Sequence, residues 1–451
     1  MMHFTGTSTP PQMHQIAPFS GFYSSINQVV HSTLPPWPHS IFQPSSRSLR
    51  DSYSIEQLLI HCANAIETND STSTQQILWV LNNIAPSDGD SSERLTCAFL
   101  RALVTRAARY GTCKVIPSIP NVQKPIYKFS MMELASFVDL TPWHRFGFTA
   151  ANAAILEAVE SYSVIHIIDL SSTHCMQIPT LIEALANRVK IPTLVKLTIA
   201  SATNNIRPIF NISYQDLGTK LVNFARSRNI VLEFKVISST ASNGFLSLID
   251  ELKIQQLVHP KRDEALVVNC HMMLHYIPEE TLNPQMNFLD SSSASFRTMF
   301  LKAVHSLNPT LVLLVDEDAD LTSKSLVCRL RSAFNYLWIP YDIIDTYLPH
   351  DSKQRQWYEA DIGWKIENVV AEDGSRRVER AEAKNKCVER MRNAKFREVG
   401  FGEAAVDEVR SMLDEHAAGW GLKREQEHLM LTWKGHSVVF ATAWIPNSFD
   451  Q

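Results

Sequence analysis

The residue types best suited to chemistry fall in three places. The run Val315-Asp316-Glu317-Asp318-Ala319-Asp320-Leu321-Thr322 follows an apolar stretch. Aspartates two apart at a strand end are the equipment of a magnesium-dependent phosphatase, in which one carboxylate attacks phosphorus and the next is acid/base. Ala319 and Asp320 stand where such a run carries Gly and Thr, and Leu321 and Val327 exclude an EF-hand. A solvated acidic loop accounts for the same residues. Cys270, His271 and His275 cluster after a second apolar stretch, the histidines at i,i+4. No HExxH pattern or evident fourth ligand accompanies them, so hydrogen-bonded histidines explain them better than a metal. The third place is the loop after Asp169, Leu170-Ser171-Ser172-Thr173-His174-Cys175-Met176. A nucleotide-binding sheet needs glycine there, because cofactor and backbone approach closely. The chain has only fourteen glycines in 451 residues, and none lies between Gly147 and Gly218. Ser171, Thr173 and Cys175 occupy the positions where glycine is expected, so no S-adenosylmethionine or dinucleotide cofactor is expected. No GxSxG elbow exists for a serine hydrolase.

Charge adds a fourth candidate. Nine basic residues lie between Arg376 and Arg397: Arg376, Arg377, Arg380, Lys384, Lys386, Arg390, Arg392, Lys395 and Arg397. Three glutamates share the stretch, on a chain of net charge −4. Such a patch suits DNA phosphates, an acidic partner or an import receptor; a solvated helix with internal ion pairs is the plainer alternative. Seven cysteines with irregular gaps and no CxxC pair give neither a disulfide framework nor a zinc ribbon. No apolar run approaches the roughly 18–20 residues of a membrane span.

These candidates need elements to position them. Residues 1–50 hold seven prolines, nine serines and no acid, a composition that predicts a disordered leader. Ser54 and Gln57 have capping-box spacing, and Leu58, Leu59, Cys62, Ala63 and Ile66 then share a helical face. Further helices are expected near 74–84, 93–109, 130–138 and 149–160. Apolar runs at 164–170, 194–200, 230–237, 265–270 and 311–315 then alternate with helical stretches, including 177–188 and 214–228. This alternation predicts a mostly parallel sheet covered on both faces. Leu429–Trp433 and Ser437–Trp444 flank Lys434-Gly435 as an antiparallel hairpin.

In order, these landmarks resemble the GRAS family of plant transcriptional regulators, near its SHORT-ROOT branch. The leucine-rich opening is Leu58-Leu59-Ile60-His61-Cys62-Ala63-Asn64-Ala65-Ile66. The VHIID motif stands as Ile165-His166-Ile167-Ile168-Asp169. A PFYRE-like region runs from Val315 to about Phe401, and the closing SAW motif matches through Trp420-Gly421, Trp433 and Ala443-Trp444. Lys395 replaces a glycine frequent in the family. The resemblance spans roughly 51–447. It implies an α/β fold: a Rossmann-like, methyltransferase-type sheet core at 161–447 with an N-terminal helical cap at 51–160, into which part of 320–360 is inserted. It also implies nuclear transcriptional regulation through other GRAS proteins and zinc-finger transcription factors, without a cofactor.

The expected function is therefore a non-enzymatic transcription regulator. Leu58, Leu59, His166, Asp169, Trp420, Trp433 and Trp444 are its candidate interaction or structural residues. The basic residues from Arg376 to Lys395 are its candidate contacts to DNA or a partner. The alternative is a methyltransferase or magnesium-dependent phosphatase on the same sheet.

Overall fold

The computed structural model describes residues 55–111, 127–188, 192–201, 206–211, 213–258, 263–279 and 295–447. The proposed leader at 1–50 and the Ser54 cap lie outside them.

Three helices open the described chain: α1 (Ile55–Glu67), α2 (Ser71–Ile84) and α3 (Ser91–Arg109). Asp90 caps α3 in a capping box with Glu93, which satisfies two of the amides that a helix start leaves bare. A short strand, β1 (Lys128–Phe129), precedes α4 (Met131–Asp139) and α5 (Pro142–Ala158). Ser130 and Glu133 box α4; Thr141 caps α5, with Pro142 in the first turn.

The α/β part follows. It comprises β2 (Val164–Ser171), α6 (Ile178–Ala186), β3 (Leu194–Ala200), β4 (Ile209–Phe210), α7 (Tyr214–Ser227), β5 (Leu232–Ile237) and α8 (Leu246–Val258). It continues with β6 (Glu264–His271), α9 (Phe296–Ser306) and β7 (Leu311–Glu317). Two long helices, α10 (Leu326–Tyr347) and α11 (Lys353–Ala371), interrupt it before α12 (Lys384–Asn393), β8 (Phe396–Val399) and α13 (Glu403–Asp414). The strands β9 (Trp420–Glu425), β10 (His428–Trp433) and β11 (His436–Pro446) close the chain.

The main sheet has the order β5-β3-β2-β6-β7-β11-β10-β9, with β8 also paired to β11. Strands β5 to β7 run parallel, and β11 enters antiparallel beside β7. This is the methyltransferase-type arrangement of a Rossmann-like core. β2 is buried almost throughout, as a central parallel strand covered on both faces must be. Ile165 and Ile167 join one hydrophobic core and Ile168 the other, in the period-two alternation of a strand.

The first core runs without a break from the sheet into the cap. α10 packs on α1 and α3, and α11 packs on α3. The helices of 326–371 thus form one packed layer with α1 and α3. Glu67, ending α1, accepts hydrogen bonds from the Leu326 and Val327 amides, at 2.5 and 3.4 Å. A carboxylate of one helix therefore caps the next, where the helix dipole favours negative charge. Arg94 on α3 reaches Asp345 at 2.5 Å and Glu359 at 2.9 Å, tying both inserted helices to the cap.

Candidate functional site

The VHIID aspartate sits at the end of β2 inside a polar network. Asp169 Oδ2 accepts from Ser171 Oγ at 2.7 Å, and Oδ1 accepts from Asn269 Nδ2 at 2.7 Å. Asn269 Nδ2 also donates to Gln177 Oε1 at 3.0 Å; Gln177 Nε2 donates to Asn152 Oδ1, and Asn152 Nδ2 to Thr180 Oγ1, both at 2.9 Å. Burial pushes the Asp169 carboxyl above its usual range, against the pull of these hydrogen bonds. The network joins β2, β6, α5 and α6 around a saturated carboxylate. Asn269 and Gln177 were not singled out from sequence. Only the β2–β6 register, which places Asn269 beside Asp169, makes them visible.

The loop after Asp169 keeps the backbone of a glycine loop without its glycines. His174 and Cys175 have φ of 50° and 65°, the left-handed region that glycine enters freely. Their side chains fill the space. The His174 ring stacks on Phe210 with centroids 5.2 Å apart, and its Nε2 lies 3.2 Å from the Pro208 carbonyl. Cys175 is 2% exposed. Beside Asp169, with Met273 and Tyr214 in the wall, about 20 Å³ of space remains. A nucleoside does not fit there, so the residues present do not suit S-adenosylmethionine.

The acidic run at the end of β7 does not converge on a cation. Asp316 Oδ1 faces His275 Nδ1 at 2.6 Å, and Asp318 Oδ1 accepts from the Lys384 amide at 2.9 Å. Asp320 accepts from Thr322 and pairs with Lys386 at 2.7 Å. Among the described residues no group of His, Cys, Asp or Glu is arranged to hold a metal ion. The phosphatase alternative thus lacks its metal site, because each aspartate turns to a different protein partner. The two histidines also part company. His271 ends β6 and lies 3.2 Å from His144 Nδ1, whereas His275 lies in a separate 3-10 turn.

The basic stretch is not one surface, which corrects the expectation of a continuous patch. Arg377, Arg380 and Lys384 are 4%, 1% and 7% exposed. Arg377 donates to the carbonyls of Leu321 and Ser323, Arg380 to that of Gly374, and Lys384 pairs with Glu425. Arg390 is clamped between Glu382 and Glu279, at 2.6 and 2.8 Å. Residues 377–383, before α12, are non-helical and mostly buried, so helical spacing was the wrong template for them. Arg376, Lys386, Arg392, Lys395 and Arg397 are exposed. Three of these pair with acids: Arg376 with Glu372, Lys386 with Asp320 and Arg392 with Glu398. Lys395 and Arg397 sit with Arg392 at the turn into β8.

The motif residues lie inside. Leu58 and Leu59, 7% and 0% exposed, close the cap core and offer no interface in this chain. His166 Nε2 lies 2.9 Å from Thr198 Oγ1, with Glu264 3.3 Å from its Nδ1. Trp433 is fully buried and donates to Asp342 on α10 at 2.7 Å; half-buried Trp420 packs on it with centroids 4.9 Å apart and bonds the Tyr347 hydroxyl. Trp444 donates to Thr442 at 2.9 Å. These tryptophans fasten the closing strands to one another and to the inserted helices.

A cavity of about 100 Å³ lies between the N-terminal helices and the ends of β6 and β7. Its polar floor is formed by His275, Glu317, Asp361, Lys365, Glu379 and Arg207. Its other wall is apolar, from Phe137, Trp143, Leu337, Ile343, Ile344 and Tyr358. Burial raises Asp361 to about 6. Burial would lower His275, but Asp316 and Glu379 outweigh it and hold the imidazole above its usual value.

The model of the GRAS domain family matches residues 55–445. The chain is 58% identical to Scarecrow-like protein 32 of Arabidopsis thaliana over 412 residues, covering 89% of this chain and 97% of that protein. It is 30% identical to Protein SHORT-ROOT of Arabidopsis thaliana over 421 residues, covering 87% and 73%. The crystal structure of SCL7 in Oryza sativa superposes with a TM-score of 0.67 at 24% identity, over 87% of this chain and all of that one, which shows the shared fold. The chain belongs to the GRAS domain family, whose scarecrow-like and SHORT-ROOT proteins are plant regulators of transcription.

Proposed function

We propose that this protein is a non-enzymatic regulator of transcription that acts in the nucleus through other GRAS proteins and zinc-finger factors. One observation carries the non-enzymatic part. The methyltransferase-type sheet is intact, yet the space where such a sheet holds its nucleoside cofactor is reduced to about 20 Å³ by His174, Cys175 and Met273. Of the exposed basic residues, Arg392, Lys395 and Arg397 are grouped at one turn, which makes it the part of the stretch best placed to meet DNA or an acidic partner surface. Its Arg392–Glu398 pair is exposed on the arginine side and is exchanged for a phosphate at little cost.

The test is chromatin occupancy with and without the zinc-finger partner, for the wild type and for Arg392→Ala, Lys395→Ala, Arg397→Ala combined. Association of the triple variant should weaken, and its salt dependence should be shallower than that of the wild type. Unchanged occupancy and unchanged partner capture would remove the turn from the reading. A saturable rise in melting temperature with S-adenosylmethionine would overturn the non-enzymatic part.

A further inference from the structure

The cavity between cap and core has no role in that reading, and its chemistry is incomplete. Glu379 Oε2 and His275 Nε2 are buried atoms with no hydrogen-bond partner among the described residues, and they lie 3.7 Å apart. Both residues line the cavity, at 2% and 3% exposure. A buried acceptor without a donor keeps the full cost of its lost hydration. Asp361 also lines the space, and its carboxylate has no hydrogen bond or ion pair among the described residues. The nearby cations are already engaged. Lys365 Nζ lies 2.5 Å from Glu317 and 3.5 Å from Glu379, and the Arg207 guanidinium stacks 5.0 Å from the centroid of Trp364.

We propose that this cavity is a binding site for a small primary amine with a branched apolar body. The Asp361 carboxylate and Glu379 Oε2, whose partner oxygen already accepts from the Tyr276 hydroxyl, call for a donor, and an ammonium supplies three. The lining carries three carboxylates, Glu317, Asp361 and Glu379, and three cations, Arg207, Lys365 and His275. Lys365 is engaged by Glu317 and Glu379 and His275 by Asp316, which leaves Asp361 as the carboxylate without an ion pair among the described residues. A carboxylate ligand would meet like charge at Asp361 and Glu379. Phe137, Ile343 and Ile344 on the opposite wall would cover the hydrocarbon. The volume sets the size. A cavity of ~150 Å³ holds benzene, so about 100 Å³ admits an aliphatic body of a few carbons. Ile343, Ile344, Asp361 and Lys365 come from α10 and α11, whereas Glu317 ends β7, so an occupant would bridge the inserted helices to the sheet. This site stands independently of the transcriptional reading, because binding is measured on the isolated full chain.

The test uses three probes that share one isopropyl body: isopropylamine, propan-2-ol and 2-methylpropanoate. Titration calorimetry and thermal shift on the full chain should show saturable binding of the amine, with a melting-point rise of about 2–4 °C near saturation. The alcohol should bind at least tenfold more weakly and the carboxylate not at all. Asp361→Asn should weaken the amine about tenfold, and Ile343→Trp, which fills the cavity, should abolish binding while cooperative unfolding is retained. No binding by any probe would overturn the proposal, as would equal or tighter binding of the carboxylate. Amine binding undiminished by Asp361→Asn would overturn it too, and keeps the test decisive if Ile343→Trp fails to fold.

Discussion

Asn269 donates to Asp169 across the β2–β6 pair at 2.7 Å, and the same amide nitrogen reaches Gln177 at 3.0 Å. One side chain thus fixes both the last carboxylate of the VHIID strand and the start of α6. Asp169→Ala leaves Asn269 and Ser171 without their shared acceptor. It should cost about 1–3 kcal/mol in urea unfolding, as removal of one partner from a buried pair does. Because the two residues act as a unit, Asp169→Ala with Asn269→Ala should cost less than the sum of the single changes. Strict additivity would show that the contact carries no coupling.

Gly147 brings α5 against the end of β6. A Cβ there would fall 2.6 Å from His271 Cε1 and 2.6 Å from Val315 Cγ1. Gly147→Ala should therefore destabilise by about 1–3 kcal/mol through overpacking, despite the better helix propensity of alanine. His271→Ala should rescue only part of the loss, since Val315 still blocks the site. Chemical denaturation of the single and double variants measures both effects.

Much of the architecture was legible because it is local. Short apolar runs marked β2, β3, β6 and β7, and the Lys434-Gly435 turn marked the hairpin of β10 and β11. What resisted reading was whatever depends on distant packing. Arg377 and Arg380 look like a basic surface until the chain before α12 is seen to pass through the interior, where arginines bind backbone carbonyls. The loop after Asp169 shows the opposite case. Its missing glycines were visible, but only the structure shows that His174 and Cys175 keep the left-handed backbone and turn their side chains into the space. Leu58 and Leu59 had the period of a buried face, and burial is what the structure gives them.

Lys395 has a φ of 68°, in the left-handed region that glycine enters freely. Its amide donates to the Arg392 carbonyl at the end of α12, so the left-handed turn is needed to stop the helix. Lys395→Gly should relieve roughly 1 kcal/mol of backbone strain. Part of this gain is offset by the greater freedom of glycine in the unfolded chain. Lys395→Ala keeps the strain and should show no gain, so comparing the two in urea separates backbone from side-chain effects.

Asp361 gives the fold a pH dependence with a definite sign. Burial raises its carboxyl from 3.8 to about 6; Arg207 and Lys365 pull it down, while Glu379 and Glu317 push it up. Below pH ~4 the proton is bound in both native and unfolded chains, so the group is neutral in each. Between about 4 and 6 the unfolded chain has released its proton and the native state has not. The native state therefore binds more protons, and this contribution is lost as pH rises through 6. Asp361→Asn, which cannot ionise, should match the wild type near pH 4. At pH 7 it should be more stable by about 1–2 kcal/mol, less than the full shift implies because the side chain is only half-buried. Urea unfolding of both proteins from pH 4 to 8 measures the difference. A constant offset across that range would show that Asp361 titrates normally, and that the cavity floor carries no uncompensated charge.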